Sequence, residues 1–213
     1  MIISRGRRYV FVHIPKTGGT SLALALEGRA MKDDLMLGDT PKAMKRRRRL
    51  QGVQAAGRLW KHSTLADVDG LLRPEELAGL FCFTLVRNPW DQVASYYRWL
   101  RGQGFDHPAV GLAKQSDFAR FLRHPQTQAS LRAWPARRYM ADATGREHCN
   151  LYIRLERFAA DAQPLFEHLG FELELPRVNA SEGAAAYTPE LRDIVAEVCA
   201  EDIARFGYAD DGP

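Results

Sequence analysis

The apolar positions of this chain fall into short, well-separated runs. Tyr9-Val10-Phe11-Val12-His13-Ile14 is rich in β-branched and aromatic residues and stops at Pro15-Lys16-Thr17-Gly18-Gly19. It does not alternate with polar residues and is too short for a helix, so it predicts a strand covered on both faces. After the glycine pair, Thr20-Ser21-Leu22-Ala23-Leu24-Ala25-Leu26-Glu27 predicts a helix, giving strand, glycine loop, helix as the first unit. Leu80 to Val86 is a second continuous apolar run, ending at Arg87-Asn88-Pro89. Asn88 is a natural N-cap there, Pro89 fits the first helical position, and Trp90, Val93, Ala94 and Tyr97 give the following helix an apolar stripe. Asn150 to Leu155 predicts a third strand, followed by a helix from about Phe158 to Leu169 that Gly170 terminates. The last helix starts at Thr188-Pro189, carries Leu191, Ile194, Val195, Val198, Ile203 and Phe206 on one side, and stops at Gly207. Residues 28–60 have no clean period and read as a basic surface insert, mobile or partly helical. There is no internal repeat. Strands alternating with helices predict an α/β fold in three layers, a mostly parallel central sheet with helices on both faces, in one domain spanning 1–213.

Composition narrows the class. With 46% hydrophobic residues in 213, the chain can bury a sizeable core, which excludes a disordered tail protein. No stretch approaches the roughly 18 apolar residues of a membrane span. The first apolar run is closed by Pro15-Lys16 without a small-residue cleavage site, so no secretion signal is expected. The expectation is a cytoplasmic protein without a membrane partner. Cys82, Cys149 and Cys199 are odd in number and widely spaced, which suits buried free thiols and neither a disulfide framework nor a metal knuckle.

The net charge of +4 conceals an asymmetry. Residues 1–61 hold 14 lysines and arginines against 4 acidic residues, while residues 62–213 hold 16 against 22. The basic part favours an anionic ligand, although charge alone does not separate nucleotide, polyanion and nucleic acid. No nucleic-acid reader motif accompanies it, so no nucleic-acid partner is expected. The run Lys45-Arg46-Arg47-Arg48-Arg49, with Lys42, reads either as a solvated face or as a guide for an anionic saccharide, which Arg132, Arg137 and Arg138 would extend.

A glycine loop between a buried strand and a helix aims backbone N–H groups at an anion, and the helix dipole adds to the field. Gly18 and Gly19 permit close approach, Thr20 and Ser21 add hydroxyls, and Lys16 adds a point charge. A nucleotide triphosphatase would place its lysine after the glycine bend and an acidic residue at the end of the second strand to help hold magnesium. Here Lys16 precedes the glycines, and the second strand ends in Arg87. Arg87 and Ser95, the latter on the opening turns of the next helix, form a candidate fork for a second phosphate.

These residues resemble the two nucleotide-binding motifs of sulfotransferases that use 3′-phosphoadenosine-5′-phosphosulfate (PAPS). The resemblance rests on Val12 to Ser21 and on Phe83 to Asp91 with Ser95, and is strongest to the branch of heparan sulfate 2-O-sulfotransferases and bacterial carbohydrate sulfotransferases. Lys61-His62-Ser63-Thr64, Ile153-Arg154-Leu155-Glu156, Val178-Asn179-Ala180-Ser181 and Phe206-Gly207-Tyr208 resemble further motifs of that family, in the family's order. The resemblance implies an α/β fold related to P-loop kinases, PAPS as donor and no catalytic metal. It implies that Lys16, Thr17, Gly18, Gly19, Thr20 and Ser21 bind the 5′-phosphosulfate, that Arg87 and Ser95 bind the 3′-phosphate, and that Asn179 and Ser181 contact the nucleotide. The implied activity is in-line attack of an acceptor hydroxyl on sulfur, releasing PAP. A carbohydrate acceptor is favoured, with a small metabolite, a lipid or a peptide tyrosine behind it. Lys16 would stabilise the developing charge, and His62 is the favoured base, its ordinary pKa near 6.5 suiting the task. His13 is the weaker rival, because a histidine in a buried strand is more often a packing residue. Two other classes compete: a P-loop nucleotide kinase or NTPase, and a non-catalytic polyanion-binding module.

Overall fold

The computed structural model describes residues 1–176 and 187–209. Its centre is a five-stranded sheet in the order β3-β1-β2-β4-β5. The strands are β1 (Ile2–Ser4), β2 (Tyr9–Val12), β3 (Leu35–Met36), β4 (Phe81–Val86) and β5 (Leu151–Arg154). The expected α/β architecture is present: β2, β4 and β5 run parallel, with Phe11 opposite Phe83 and Leu85 opposite Ile153. The sheet is nevertheless mixed, because β1 pairs antiparallel with β2 on one side and with β3 on the other. The unbroken apolar runs follow from burial on both faces. Tyr9, Phe11, Phe83 and Leu85 are enclosed on one side, and Val10, Val12, Cys82 and Thr84 on the other.

The chain divides into two compact units, Met1–Val86 with Ala136–Val178, and Arg87–Pro135 with Asn179–Pro213. The first holds the sheet with α1 (Gly19–Gly28), α2 (Pro41–Arg46), α3 (Pro74–Ala78), α8 (Ala136–Tyr139), α9 (Phe158–Asp161) and α10 (Gln163–Leu169). Its core joins Phe11, Phe83, Leu85 and Ile153 of the sheet to Leu22 and Leu26 of α1 and Leu165, Phe166 and Leu169 of α10. Each such side chain stabilises the fold by roughly 1.5–3 kcal/mol. Residues 28–60 contribute β3, α2 and a 3₁₀ turn over Arg47–Leu50. Three of their cations are tied to backbone oxygens: Lys42 donates to the Glu27 carbonyl, Arg46 to those of Met31 and Asp34, and Arg49 to those of Lys32 and Asp34.

The helix expected from Phe158 to Leu169 is two helices, broken at Ala162 (φ −85°, ψ −2°). Pro164 is the reason, because it has no N–H to donate to the carbonyl four residues earlier. Asp161 closes the break by accepting from Arg154 Nε at 2.7 Å and Nη2 at 3.1 Å. Gly170 then ends α10 in the left-handed conformation, φ 76°.

The second unit is helical: α4 (Pro89–Arg101), α5 (Pro108–Gln115), α6 (Phe118–Arg123), α7 (Pro125–Ala133), α11 (Pro189–Val198) and α12 (Ala200–Phe206). Asn88 caps α4 as expected, its Oδ1 accepting from Trp90 N at 3.1 Å. Trp90 and Val93 pack against Leu122, Leu191 and Val195. The single last helix expected from Thr188 is divided at Cys199 (φ −110°) into α11 and α12, and ends at Gly207 (φ 65°). Arg132, named above as part of a guiding track, is paired with Glu197 at 2.6 Å. Among the described residues no helix is long and apolar enough to cross a membrane. The three cysteines are free, and burial pushes each thiol up to about 12.

Candidate functional site

Strand β2 ends beneath the glycine loop, and the chain turns through residues 13–18 into α1. Lys16 (φ 66°) and Gly18 (φ 84°) are both left-handed. That conformation costs a lysine about 1 kcal/mol or more and needs support. Thr17, 1% exposed, supplies it: its hydroxyl donates to the Ile14 carbonyl at 2.9 Å and pins the middle of the loop. The first turn closes through Ser21 N and Leu22 N, which donate to Gly18 O at 3.0 and 3.4 Å. No side chain caps α1. The N–H groups of Gly19 and Thr20 lie ahead of any intrahelical acceptor, and Lys16 and Thr20 are half-buried beside them. This is a set of donors suited to a phosphate or sulfate oxygen.

Both glycines answer to packing. A Cβ on Gly19 would lie 2.1 Å from His13 Cδ2, and one on Gly18 would lie 2.8 Å from Leu155 Cδ1. The loop is therefore seated directly on the His13 ring.

That ring stacks on Phe11 at 6.0 Å and meets the edge of His62 at 4.6 Å. His62 Nδ1 lies 2.8 Å from the His13 carbonyl. A carbonyl only accepts, so Nδ1 carries the proton and Nε2 keeps its lone pair. Trp60 packs edge-on against His62 at 5.0 Å, and the turn is held by Ser63 Oγ, which accepts from Trp60 N at 2.9 Å. Burial pushes His62 down to about 4; the nearby Lys61 adds to the shift and the bond to the His13 carbonyl opposes it. Burial, with the neighbouring His62, also holds His13 well below the usual imidazole range. Both rings are thus neutral at pH 7, and His62 Nε2 is free of a proton.

The same region holds Lys61 against Asp39, Nζ to Oδ2 at 2.6 Å, and the amino group of Met1, which donates to Leu37 O at 3.0 Å and Lys61 O at 2.8 Å. Burial pushes that amine down to about 5. Beside it lies a small cleft of about 10 Å³, room for about one water, whose walls include His13, Thr20, Glu27, Asp39, Thr40 and Lys61.

Of the residues singled out in the sequence, Lys16 through Ser21 and His62 belong to the first unit, and His13 links them: its ring contacts Gly19 and His62. Thr17 spends its hydroxyl on the loop itself, so what it offers a ligand is its backbone. Arg87 follows β4 without a break and Ser95 is buried on α4; both belong to the second unit. Asn179 and Ser181 lie outside the described residues. Among the described residues no three histidine, cysteine, aspartate or glutamate side chains gather as a metal site would require. Glu27, read only as the end of an apolar helix, is buried on the cleft wall; an acidic residue closing a run of leucine and alanine was the available signal.

No protein-family model matches the chain, and no curated protein does. Among solved structures it is similar to mouse sulfotransferase SULT7A1 complexed with PAP, with a TM-score of 0.38 and 15% identity, covering 98% of this chain and 69% of that one. A likeness of that size does not define an activity.

Proposed function

We propose that this protein is a PAPS-dependent sulfotransferase acting on an acceptor hydroxyl, most simply that of a carbohydrate or small metabolite. The observation that supports this best is the loop: two left-handed residues pinned by Thr17, an uncapped helix start and Lys16 placed before the glycines. Such donors fit the terminal oxygens of a phosphosulfate. The donor supplies a sulfuryl group already attached to a good leaving phosphate. Lys16 and the N–H groups of Gly19 and Thr20 hold its oxygens, each well-placed donor contributing on the order of 3 kcal/mol to charge developing in the transition state. His62 Nε2 accepts the proton of the acceptor hydroxyl as the new O–S bond forms in line with the breaking S–O bond, and PAP leaves. By the sequence resemblance, Arg87 and Ser95 bind the 3′-phosphate, with Asn179 and Ser181 on the nucleotide. The reading assigns no metal, no nucleic acid and no membrane to the reaction, and a cytoplasmic setting.

The test is a thermal-shift comparison of PAP with ATP and GTP, each with and without magnesium. At 100 times Kd a ligand adds about 2.7 kcal/mol, a rise of roughly 5–10 °C for a chain of this size. The expected result is a magnesium-independent rise with PAP. A rise only with magnesium and ATP or GTP would replace this reading with a nucleotide kinase.

A further inference from the structure

Trp60 is 41% exposed and stands against the ring of His62 at 5.0 Å. Over the same indole lies the guanidinium of Arg58, 5.2 Å from the ring centroid. The turn that carries both is fixed by bonds on either side. Ser63, fully buried, accepts from Trp60 N at 2.9 Å; its Oγ lies 2.8 Å from Arg58 O and 2.9 Å from Trp60 O, one of which takes its proton. Gly57 N donates to Asp67 O at 2.9 Å. Asp67 is joined in turn to Thr64, whose N donates to Oδ2 at 2.8 Å and whose Oγ1 accepts from Asp67 N at 3.1 Å. An indole held at the surface beside a candidate base offers an apolar face of the kind that binding sites use.

The charges decide what binds there. A guanidinium lying over an indole leaves its N–H groups available at its edges, in the fork that matches a carboxylate or a sulfate. Arg58 is exposed, and among the described residues its side chain has neither a hydrogen-bond partner nor an ion-pair partner. Its basic neighbours differ. Lys61 is paired with Asp39 at 2.6 Å, and Arg46 and Arg49 donate to the carbonyls of Met31, Lys32 and Asp34. The Lys61–Asp39 pair carries no net charge, so Arg58 gives this side of His62 its positive sign. Because Arg58 and His62 both touch one indole, the guanidinium and the imidazole are separated by no more than about the length of a disaccharide.

We infer that Arg58, over Trp60, is the receptor for an oxyanion, a carboxylate or a sulfate, that the acceptor carries within a disaccharide's length of the hydroxyl presented to His62. Trp60 supplies the apolar surface beside it. The assignment to the acceptor rests on the proposed function; the oxyanion site itself does not. A neutral acceptor is then the poorer one, and the discrimination is made at the site, by one arginine, instead of by the basic run at 45–49.

The experiment uses cellobiouronate and cellobiose, which differ by a carboxylate in place of one hydroxymethyl group. Each is titrated without nucleotide, at matched ionic strength, into the full chain labelled with ¹⁵N on tryptophan, with the Trp60 indole N–H resonance assigned from Trp60→Phe. The expected result is a saturable shift of that resonance with cellobiouronate, at least about fivefold weaker affinity for cellobiose, and at least about fivefold weaker cellobiouronate binding in Arg58→Gln. No saturable shift, cellobiose binding as tightly as cellobiouronate, or undiminished binding in Arg58→Gln overturns the inference. PAP, titrated by calorimetry into the wild type and Arg58→Gln, separates an oxyanion of the acceptor from one of the donor. Equal PAP affinity is expected; PAP binding weakened about fivefold or more in Arg58→Gln would put Arg58 in the donor site and overturn the acceptor assignment. Absence of PAP binding in both proteins overturns the sulfotransferase reading, while the Trp60 resonance alone decides the oxyanion site.

Discussion

Replacing His62 with glutamine should remove a measurable part of the protein's acid sensitivity. The ring titrates near 6.5 in an unfolded chain and is pushed down to about 4 in the folded one, with burial the leading cause. Between those values the unfolded state binds the proton and the folded state does not, so stability rises with pH across the window and is lost as pH falls from 6.5 toward 4. A shift of about 2.5 units corresponds to roughly 3 kcal/mol in total, of which about 2.5 kcal/mol is gone by pH 4.5. Glutamine does not titrate, and its amide can still donate to the His13 carbonyl. Urea unfolding of both proteins between pH 7.5 and 4.5 gives the difference directly. The wild type should lose about 2.5 kcal/mol more than His62→Gln over that range. Removing His62 also relieves the neighbour that helps hold His13 down, so His13 should titrate at a higher pH in the variant, visible in its ring resonances. Parallel stability curves would mean that the ring is as solvated folded as unfolded, and the neutral, proton-accepting His62 would have to be abandoned.

Two further outcomes follow from the loop and the basic run. Gly19→Ala places a methyl 2.1 Å from the His13 ring, and overpacking of that kind costs typically 1–3 kcal/mol; denaturant unfolding should show such a loss together with weakened PAP binding by calorimetry, and an unchanged midpoint would mean that the ring moves aside freely. Neutralising Arg46 to Arg49 together should lower stability, because Arg46 and Arg49 hold the carbonyls of Met31, Lys32 and Asp34; if stability is unchanged and only the salt dependence of acceptor KM falls, the run is a guiding track instead.

How much of this was legible depends on distance along the chain. Strands β2, β4 and β5 were readable because strands buried on both faces must be unbroken apolar runs, and the glycine loop because its chemistry is contained in a few consecutive residues. Strands β1 and β3 were not, being three and two residues long; their pairing is set by contacts with distant segments and leaves no local period. The short helices between Pro108 and Tyr139 lack a stripe long enough to register. Pro164 did carry the signal for the break at Ala162, outweighed by the apolar pattern around it. His62 stood out by its motif, but the carbonyl that orients it lies 49 residues away, and nothing near Glu27 in sequence announces a cleft.

Neither unit is a continuous stretch of chain. The first is completed only by Ala136–Val178, after the segment Arg87–Pro135 has been laid down for the second. Strand β4 ends at Val86, and its parallel partner β5 begins at Leu151. During synthesis β4 therefore leaves the ribosome with one flank unpaired and stays so while residues 87–150 emerge. At 5–20 residues per second that is a wait of several seconds, on the order of 3–13. Phe81-Cys82-Phe83-Thr84-Leu85-Val86 is an apolar strand edge of the kind that invites pairing with another chain. The vulnerable moment of this protein's biogenesis is set by that interval, and slow translation across 87–150 would lengthen it.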